Sequence, residues 1–228
     1  MEESTNKVVN LDSASATYVN REVLQEMMPT FNSCYGNPLS IHSLGRTANE
    51  FLQTAKMRVA MGINAEPKEI YFTSGVAEAN NWAILGIARA NKNKGKHIIT
   101  SKVEDSSILL ACKQLESEGF EVTYIGCDEK GVVSLSQLMG AIRQDTILVS
   151  INVANNEVGT IQNLNAIART VKEKDIVFHC DASCAMGAMP LDVKAIPIDA
   201  MTLSSDLIYG PKGVGALYVK KDVRINSF

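Results

Sequence analysis

Four short segments gather side chains able to do chemistry: Thr73-Ser-Gly-Val-Ala-Glu-Ala-Asn-Asn, Lys102-Val-Glu-Asp-Ser-Ser, Cys180-Asp-Ala-Ser-Cys and Ser204-Ser-Asp-Leu-Ile-Tyr-Gly-Pro-Lys-Gly. A helix starting after Ser74-Gly75 would turn its free amides toward an anion. Cys180 and Cys184 invite a metal, yet no further Cys or His pair has ligand spacing nearby, so buried structural thiols are expected. Asn155 and Asn156 could shape a turn as readily as face a ligand. His42, His97 and His179 sit in segments that look structural, and none is assigned to catalysis.

Each of the four segments follows an apolar, β-rich run. The strand candidates are Glu69-Ile-Tyr-Phe-Thr, His97-Ile-Ile-Thr-Ser, Glu121-Val-Thr-Tyr-Ile, Thr146-Ile-Leu-Val-Ser-Ile, Ile176-Val-Phe-His-Cys, Ala200-Met-Thr-Leu-Ser and Val214-Gly-Ala-Leu-Tyr-Val. Segments of helical period alternate with them. Ile108, Cys112 and Leu115 share one helical face, as do Leu164, Ile167, Ala168 and Val171. Leu52, Ala55 and Val59 form another stripe, which Gly62-Ile-Asn is expected to stop. The alternation predicts an α/β fold with a mainly parallel sheet flanked by helices. Sheets of this kind bind ligands beyond the carboxyl ends of their strands, where the four segments lie.

Composition bounds the rest. The 228 residues are 46% hydrophobic and 21% charged, enough for one substantial core, and a single domain over 1–228 with an N-terminal arm of about 1–20 is expected. A net charge of −3 without runs of like charge points away from nucleic acid and anionic membranes. No run reaches membrane-spanning length and no secretion signal opens the chain, so a cytoplasmic location is expected. The five cysteines are expected to be reduced thiols.

Read in order, Tyr35-Gly-Asn-Pro-Leu-Ser-Ile-His-Ser-Leu-Gly-Arg, Phe72-Thr-Ser-Gly, Glu78-Ala-Asn-Asn, Ala154-Asn-Asn-Glu-Val-Gly-Thr and Tyr209-Gly-Pro-Lys-Gly-Val-Gly-Ala-Leu-Tyr resemble the cysteine desulfurases. These are class V aminotransferase-like enzymes that use pyridoxal phosphate. The resemblance runs from about Val9 to Arg224 and implies the large domain of pyridoxal-phosphate fold type I. It implies cofactor contacts at Asn155 (phenolic oxygen), Asp181 (pyridine nitrogen) and Ser204 (phosphate). The C-terminal small domain of the family, with its sulfur-accepting cysteine, is expected to be absent.

The chain departs from the family pattern where the chemistry is concentrated. Leu207 occupies the position of the lysine that forms the Schiff base and shuttles the α-proton, which an isobutyl group cannot do. Lys212 corresponds to a separate family lysine beyond the turn. Asp105 replaces the ring-stacking histidine, and Asp206 replaces a phosphate-binding histidine, setting a negative charge where a phosphate would lie. Ala77 replaces a phosphate-binding threonine, and Cys184 a glutamine near the phenolic oxygen. Overlaid on the family pocket, Asp105, Asp181, Asp206 and Cys184 should face one cavity that is either open to water or holds a cation.

The expected function is therefore a catalytically inactive, cysteine-desulfurase-like protein with no cofactor, acting as a dimerising or partner-binding module. By ancestry it would be linked to sulfur mobilisation and iron-sulfur assembly. The expected partners are a second copy or a related chain. The alternative is a half-enzyme completed in trans by a second polypeptide, and a decayed gene product is a third reading.

Overall fold

The computed structural model describes residues 9–227. Residues 1–8 of the expected N-terminal arm lie outside the described residues.

Two helices come first, α1 (Arg21–Asn32) and α2 (Ser43–Gly62), followed by a 3-10 turn at Pro67–Glu69. The remaining elements are β1 (Ile70–Thr73), α3 (Val76–Asn91), β2 (His97–Ser101), α4 (Ser106–Ser117), β3 (Glu121–Ile125), α5 (Leu135–Ala141), β4 (Thr146–Ser150), α6 (Leu164–Lys172), β5 (Val177–Asp181), β6 (Ala200–Ser204) and β7 (Gly215–Val219). The seven strands form one sheet in the order β1-β7-β6-β5-β4-β2-β3. All neighbouring pairs are parallel except those of β7, which runs antiparallel to both β1 and β6. The α/β class and mainly parallel sheet expected from the sequence are the ones observed.

Alternation along the strands feeds two cores. Ile98, Leu148, Ala200 and Leu217 face α3 and α4, whose Ala79, Ala83, Ile84, Ile87, Ile108, Cys112 and Leu115 are fully buried. On the other face Ile99, Val149, Cys180, Met201 and Tyr218 meet Leu138 of α5, the α6 stripe Leu164, Ile167, Ala168 and Val171, and Ala60 of α2. The small residues of α3 let it lie across the sheet. At Gly86 an added Cβ would come within 2.8 Å of Ile225 and 2.9 Å of the Asn226 carbonyl, so the segment after β7 rests directly on this helix.

Three details differ from the sequence expectation. Gly62 is still helical, and the reversal falls on Asn64, whose φ is 57°. The Leu52, Ala55 and Val59 stripe is only half-buried, because no sheet surface lies under most of α2. Asp181 is the last residue of β5, so that strand sits one residue later than its apolar run suggested.

The chain order places the switch in direction between β2 and β4: from β2 it passes outward to β3, then returns through β4, β5 and β6. Carboxyl-terminal loops diverge at such a point and leave a crevice.

Candidate functional site

The crevice is a cavity of about 330 Å³ lined by Asp105 after β2, Asn152 after β4, Asp181, Ser183 and Cys184 at the end of β5, and Asp206 and Leu207 after β6. Ala14 and Ser15 of the N-terminal segment and Val76 of α3 complete it, with Ala154 and Asn156. A second hollow of about 330 Å³ adjoins it, sharing Ala14, Ala154, Asn156, Cys184 and Leu207 and adding Asn155. The three aspartates and Cys184 thus come together as the sequence suggested. Among the described residues, no lysine, arginine or histidine lines either hollow.

Each carboxylate accepts from a serine two residues away, and Asp181 also from α3. Asp105 caps α4, accepting from the Ser107 amide at 2.8 Å and the Ser107 hydroxyl at 2.5 Å. Asp181 accepts from Asn80 Nδ2 at 2.7 Å and from the Ser183 amide at 2.8 Å. Asp206 accepts the hydroxyl proton of Ser204. Burial pushes the Asp181 carboxyl above its ordinary range, while the bonds from Ser183 and Asn80 pull it back. Burial likewise raises the Cys184 thiol, which keeps it protonated and a poor nucleophile.

The cation expected as one answer to three carboxylates does not follow from their placement. Among the described residues no group of three His, Cys, Asp or Glu side chains is arranged to hold a metal ion. Each aspartate is instead bonded to donors of its own: Asp105 to Ser107, Asp206 to Ser204, and Asp181 to Ser183 and Asn80.

Other residues read as candidates have structural partners. Asn155 accepts from the Glu157 and Val158 amides at 2.9 and 3.0 Å and donates to the Val103 carbonyl at 3.0 Å, so it shapes a turn while bordering the second hollow. Ala77 lies in the first turn of α3, outside both linings, and its carbonyl accepts from Asn81. At the start of α3 the Ser74 amide is taken by the Glu78 carboxylate at 2.6 Å, so the chain supplies an anion there itself. Gly75 makes that turn possible, with a φ of 151° that side-chain-bearing residues rarely adopt.

The loop after β6 is fastened to the N-terminal segment. The Thr17 amide and hydroxyl donate to the Asp206 carbonyl at 3.0 and 2.6 Å, the Tyr209 amide donates to the Thr17 hydroxyl at 3.0 Å, and Lys212 Nζ donates to the Thr17 carbonyl at 3.1 Å. The Lys212 ammonium is thereby tied to this strap. Ala14 and Ser15, just before it, become part of the cavity wall.

Sequence reading did not single out Glu104, Asn152 and Asn80 as a group. Glu104 is buried, which pushes its carboxyl up to about 8, so it is mostly neutral near pH 7; its Oε1 accepts from the Ser101 hydroxyl at 2.5 Å and the Asn152 amide at 3.1 Å. The oxygens Asn80 Oδ1, Glu104 Oε2 and Asn152 Oδ1 are buried without a hydrogen-bond partner. The available signal was Asn152 itself, a polar residue breaking an apolar run at the carboxyl end of β4.

The comparisons with known proteins bear on the whole chain. Residues 9–227 match the aminotransferase class-V family. The chain belongs to this family. This class-V aminotransferase chain is 49% identical over 221 residues to the cysteine desulfurase IscS of Methanosarcina thermophila, covering 97% of the chain and 55% of that relative. It is 49% identical over 222 residues to the cysteine desulfurase IscS of Clostridium botulinum strain Hall, covering 97% and 56%. Among solved structures it is similar to a NifS-like protein (37% identity, TM-score 0.92, 95% of this chain and 60% of that one). It is also similar to the apo cysteine desulfurase of Thermococcus onnurineus NA1 (26% identity, TM-score 0.87, 95% and 55%). The class-V chain spans about half the length of the curated relatives it matches. These likenesses agree with the large-domain fold that the resemblance implied.

Proposed function

We propose that this chain is a non-catalytic member of the cysteine desulfurase group that does not hold pyridoxal phosphate and acts by associating with a second copy or a related chain. Its ancestry, supported by 49% identity to cysteine desulfurases, ties it to sulfur mobilisation. The observation that carries the reading is the lining of the cavity: Leu207 stands at the lysine position beside Asp206, whose carboxylate takes the Ser204 hydroxyl.

A phosphate ester carries close to two negative charges at neutral pH and needs cations or donors around it. Among the described residues the lining offers three aspartates and an isobutyl group beside the neutral Ser15, Asn152, Asn156 and Ser183, with no cation, and Ser204, the phosphate ligand of the resemblance, points its proton at Asp206. They do not fit the group, so no catalytic step is derived through it.

Association is supported by apolar surface on the two leading helices. Helix α1 has no buried residue, and Leu24, Met28 and Phe31 are exposed on it; Phe51, Met57 and Met61 are exposed on α2. Exposed apolar side chains in this number favour burial against a partner.

The test is the visible spectrum of the purified chain after incubation with pyridoxal phosphate and removal of the excess, followed by borohydride reduction and peptide mapping. The expected result is no retained chromophore and no modified lysine. A chromophore mapped to a lysine would overturn the reading and favour the half-enzyme completed in trans.

A further inference from the structure

One segment walls both hollows. Ala14 lines the two of them, Ser15 the first and Ser13 the second. Among the described residues, the hydrogen bonds of residues 9–16 stay within the segment: the Asp12 amide donates to Asn10 Oδ1 at 2.9 Å, and Ser15 donates back to Asp12 through its amide at 3.1 Å and its hydroxyl at 2.7 Å. The turn so closed can move as one piece. Leu11 to Ser15 are exposed, and the wall itself is made of small side chains, so little apolar area holds it against the cavity. Thr17 is different. It is 7% exposed, and its hydrogen bonds all go to the loop after β6: amide and hydroxyl donate to the Asp206 carbonyl, the hydroxyl accepts from the Tyr209 amide, and the carbonyl accepts from Lys212 Nζ. Asn20 is fixed as well, since its amide donates to the Tyr209 carbonyl at 2.9 Å and its side chain caps α1.

We propose that residues 9–16 are a movable wall with Thr17 as its latch and Asn20 as its pivot, so that release of the latch opens both hollows to bulk water together. Local opening takes place where few buried apolar contacts and few hydrogen bonds have to be given up. Releasing Thr17 breaks the four bonds just described and leaves the sheet and both cores intact. The latch is also placed to respond to an occupant. Asp206 gives its carbonyl to Thr17 and its side chain to the cavity lining, where Leu207 follows it. A small molecule that touches Asp206 or Leu207 therefore bears on the loop that holds the wall. In this way the wall admits a ligand and then retains it, whichever compound the hollows take.

Cys184 lines both hollows and serves as the reporter, with the exposed Cys127 and the buried Cys112 and Cys180 as internal controls. The whole 228-residue chain is pulsed with N-ethylmaleimide, and the labelling rate of each cysteine is read by peptide mass spectrometry. Thr17→Val keeps the side-chain shape and removes the two bonds of the hydroxyl; Lys212→Met removes the bond to the Thr17 carbonyl. Cys184 is expected to label about tenfold faster in Thr17→Val than in the wild-type chain and about threefold faster in Lys212→Met. Cys127 should keep its rate, and Cys112 and Cys180 should stay unlabelled. A Cys184 rate that Thr17→Val leaves unchanged overturns the proposal. So does labelling of Cys112 or Cys180 in step with Cys184, since the opening would then be unfolding of the sheet. Thermal unfolding checks that the variants are folded, and if Thr17→Val does not fold, Lys212→Met decides by the same criteria.

Discussion

The hydroxyl of Ser204 donates to the carboxylate of Asp206, two residues on, across the turn that leaves β6. On the proposed reading, Asp206 does two things to an incoming phosphate: it adds a negative charge and engages the Ser204 hydroxyl. Restoring the amine at the neighbouring position should not be enough. Leu207→Lys alone is expected to retain no visible chromophore after incubation with pyridoxal phosphate and gel filtration. Leu207→Lys combined with Asp206→His, which frees Ser204, is expected to retain a measurable fraction. Equal retention by the single and double variants would show that Asp206 is not the obstacle.

Stability should fall on both sides of a window set by two buried groups. Glu104 is raised from 4.5 to about 8, so its neutral form is favoured in the fold; that contribution is complete below 4.5 and is lost as pH rises through about 8. His179, between Ser150 and Thr202, is lowered by burial from 6.5 to about 3, so its contribution is complete above 6.5 and is lost as pH falls toward 3. Asp181, also raised by burial, adds to the loss with rising pH. Urea unfolding at about pH 6 and about pH 9 should differ by a few kcal/mol in favour of the lower pH. Glu104→Gln should remove most of that difference.

The pair Lys172–Asp199 spans the end of α6 and the start of β6 at 2.5 Å, with the Asp199 side chain 5% exposed. Asp199 also accepts from the Phe178 amide at 2.8 Å. Lys172→Met would leave that carboxylate buried with the backbone amide alone, at a cost of about 2 kcal/mol in denaturant unfolding. By contrast Arg58→Ala, at an exposed 3.4 Å pair with Glu26, should change stability by less than about 0.5 kcal/mol.

The uncovered face of α1 gives a separate expectation. In sedimentation equilibrium the wild-type chain should be larger than one copy or should associate with a related desulfurase chain. Phe31→Glu with Met28→Glu, both exposed on α1, should shift it toward the monomer without lowering its unfolding temperature. A monomer at all concentrations with no relative bound would remove association from the proposed function.

Most of the sheet was legible from sequence, because its strands read as short β-rich runs: the buried His97–Ser101 and Ala200–Ser204 and the half-buried edge strand Glu121–Ile125 fall where their runs do. The antiparallel direction of β7 was not legible, since Gly215–Val219 is buried on both faces and carries the same pattern either way. The convergence of Asp105, Asp181 and Asp206 came from overlaying a family pocket. What sequence could not supply was the donor each aspartate finds. Ser107, Ser183 and Ser204 lie two residues away, and such short-range turns capture a carboxylate before a shared cation can. The group around Asn152 stayed hidden because an unpaired oxygen is a property of the packed interior.

The strap through Thr17 joins the two ends of the described chain. Its partners Asp206, Tyr209 and Lys212 lie 189 to 195 residues later. On the ribosome α3, β2, α4 and β4 can pack while the leading segment has nothing to fasten to, and the cavity wall at Ala14 and Ser15 closes only once the loop after β6 has emerged. Contacts so distant in sequence are slow to form. Until they do, the crevice beyond β4 and β5 lacks the wall that Ala14 and Ser15 supply, so the pocket would be finished after the sheet.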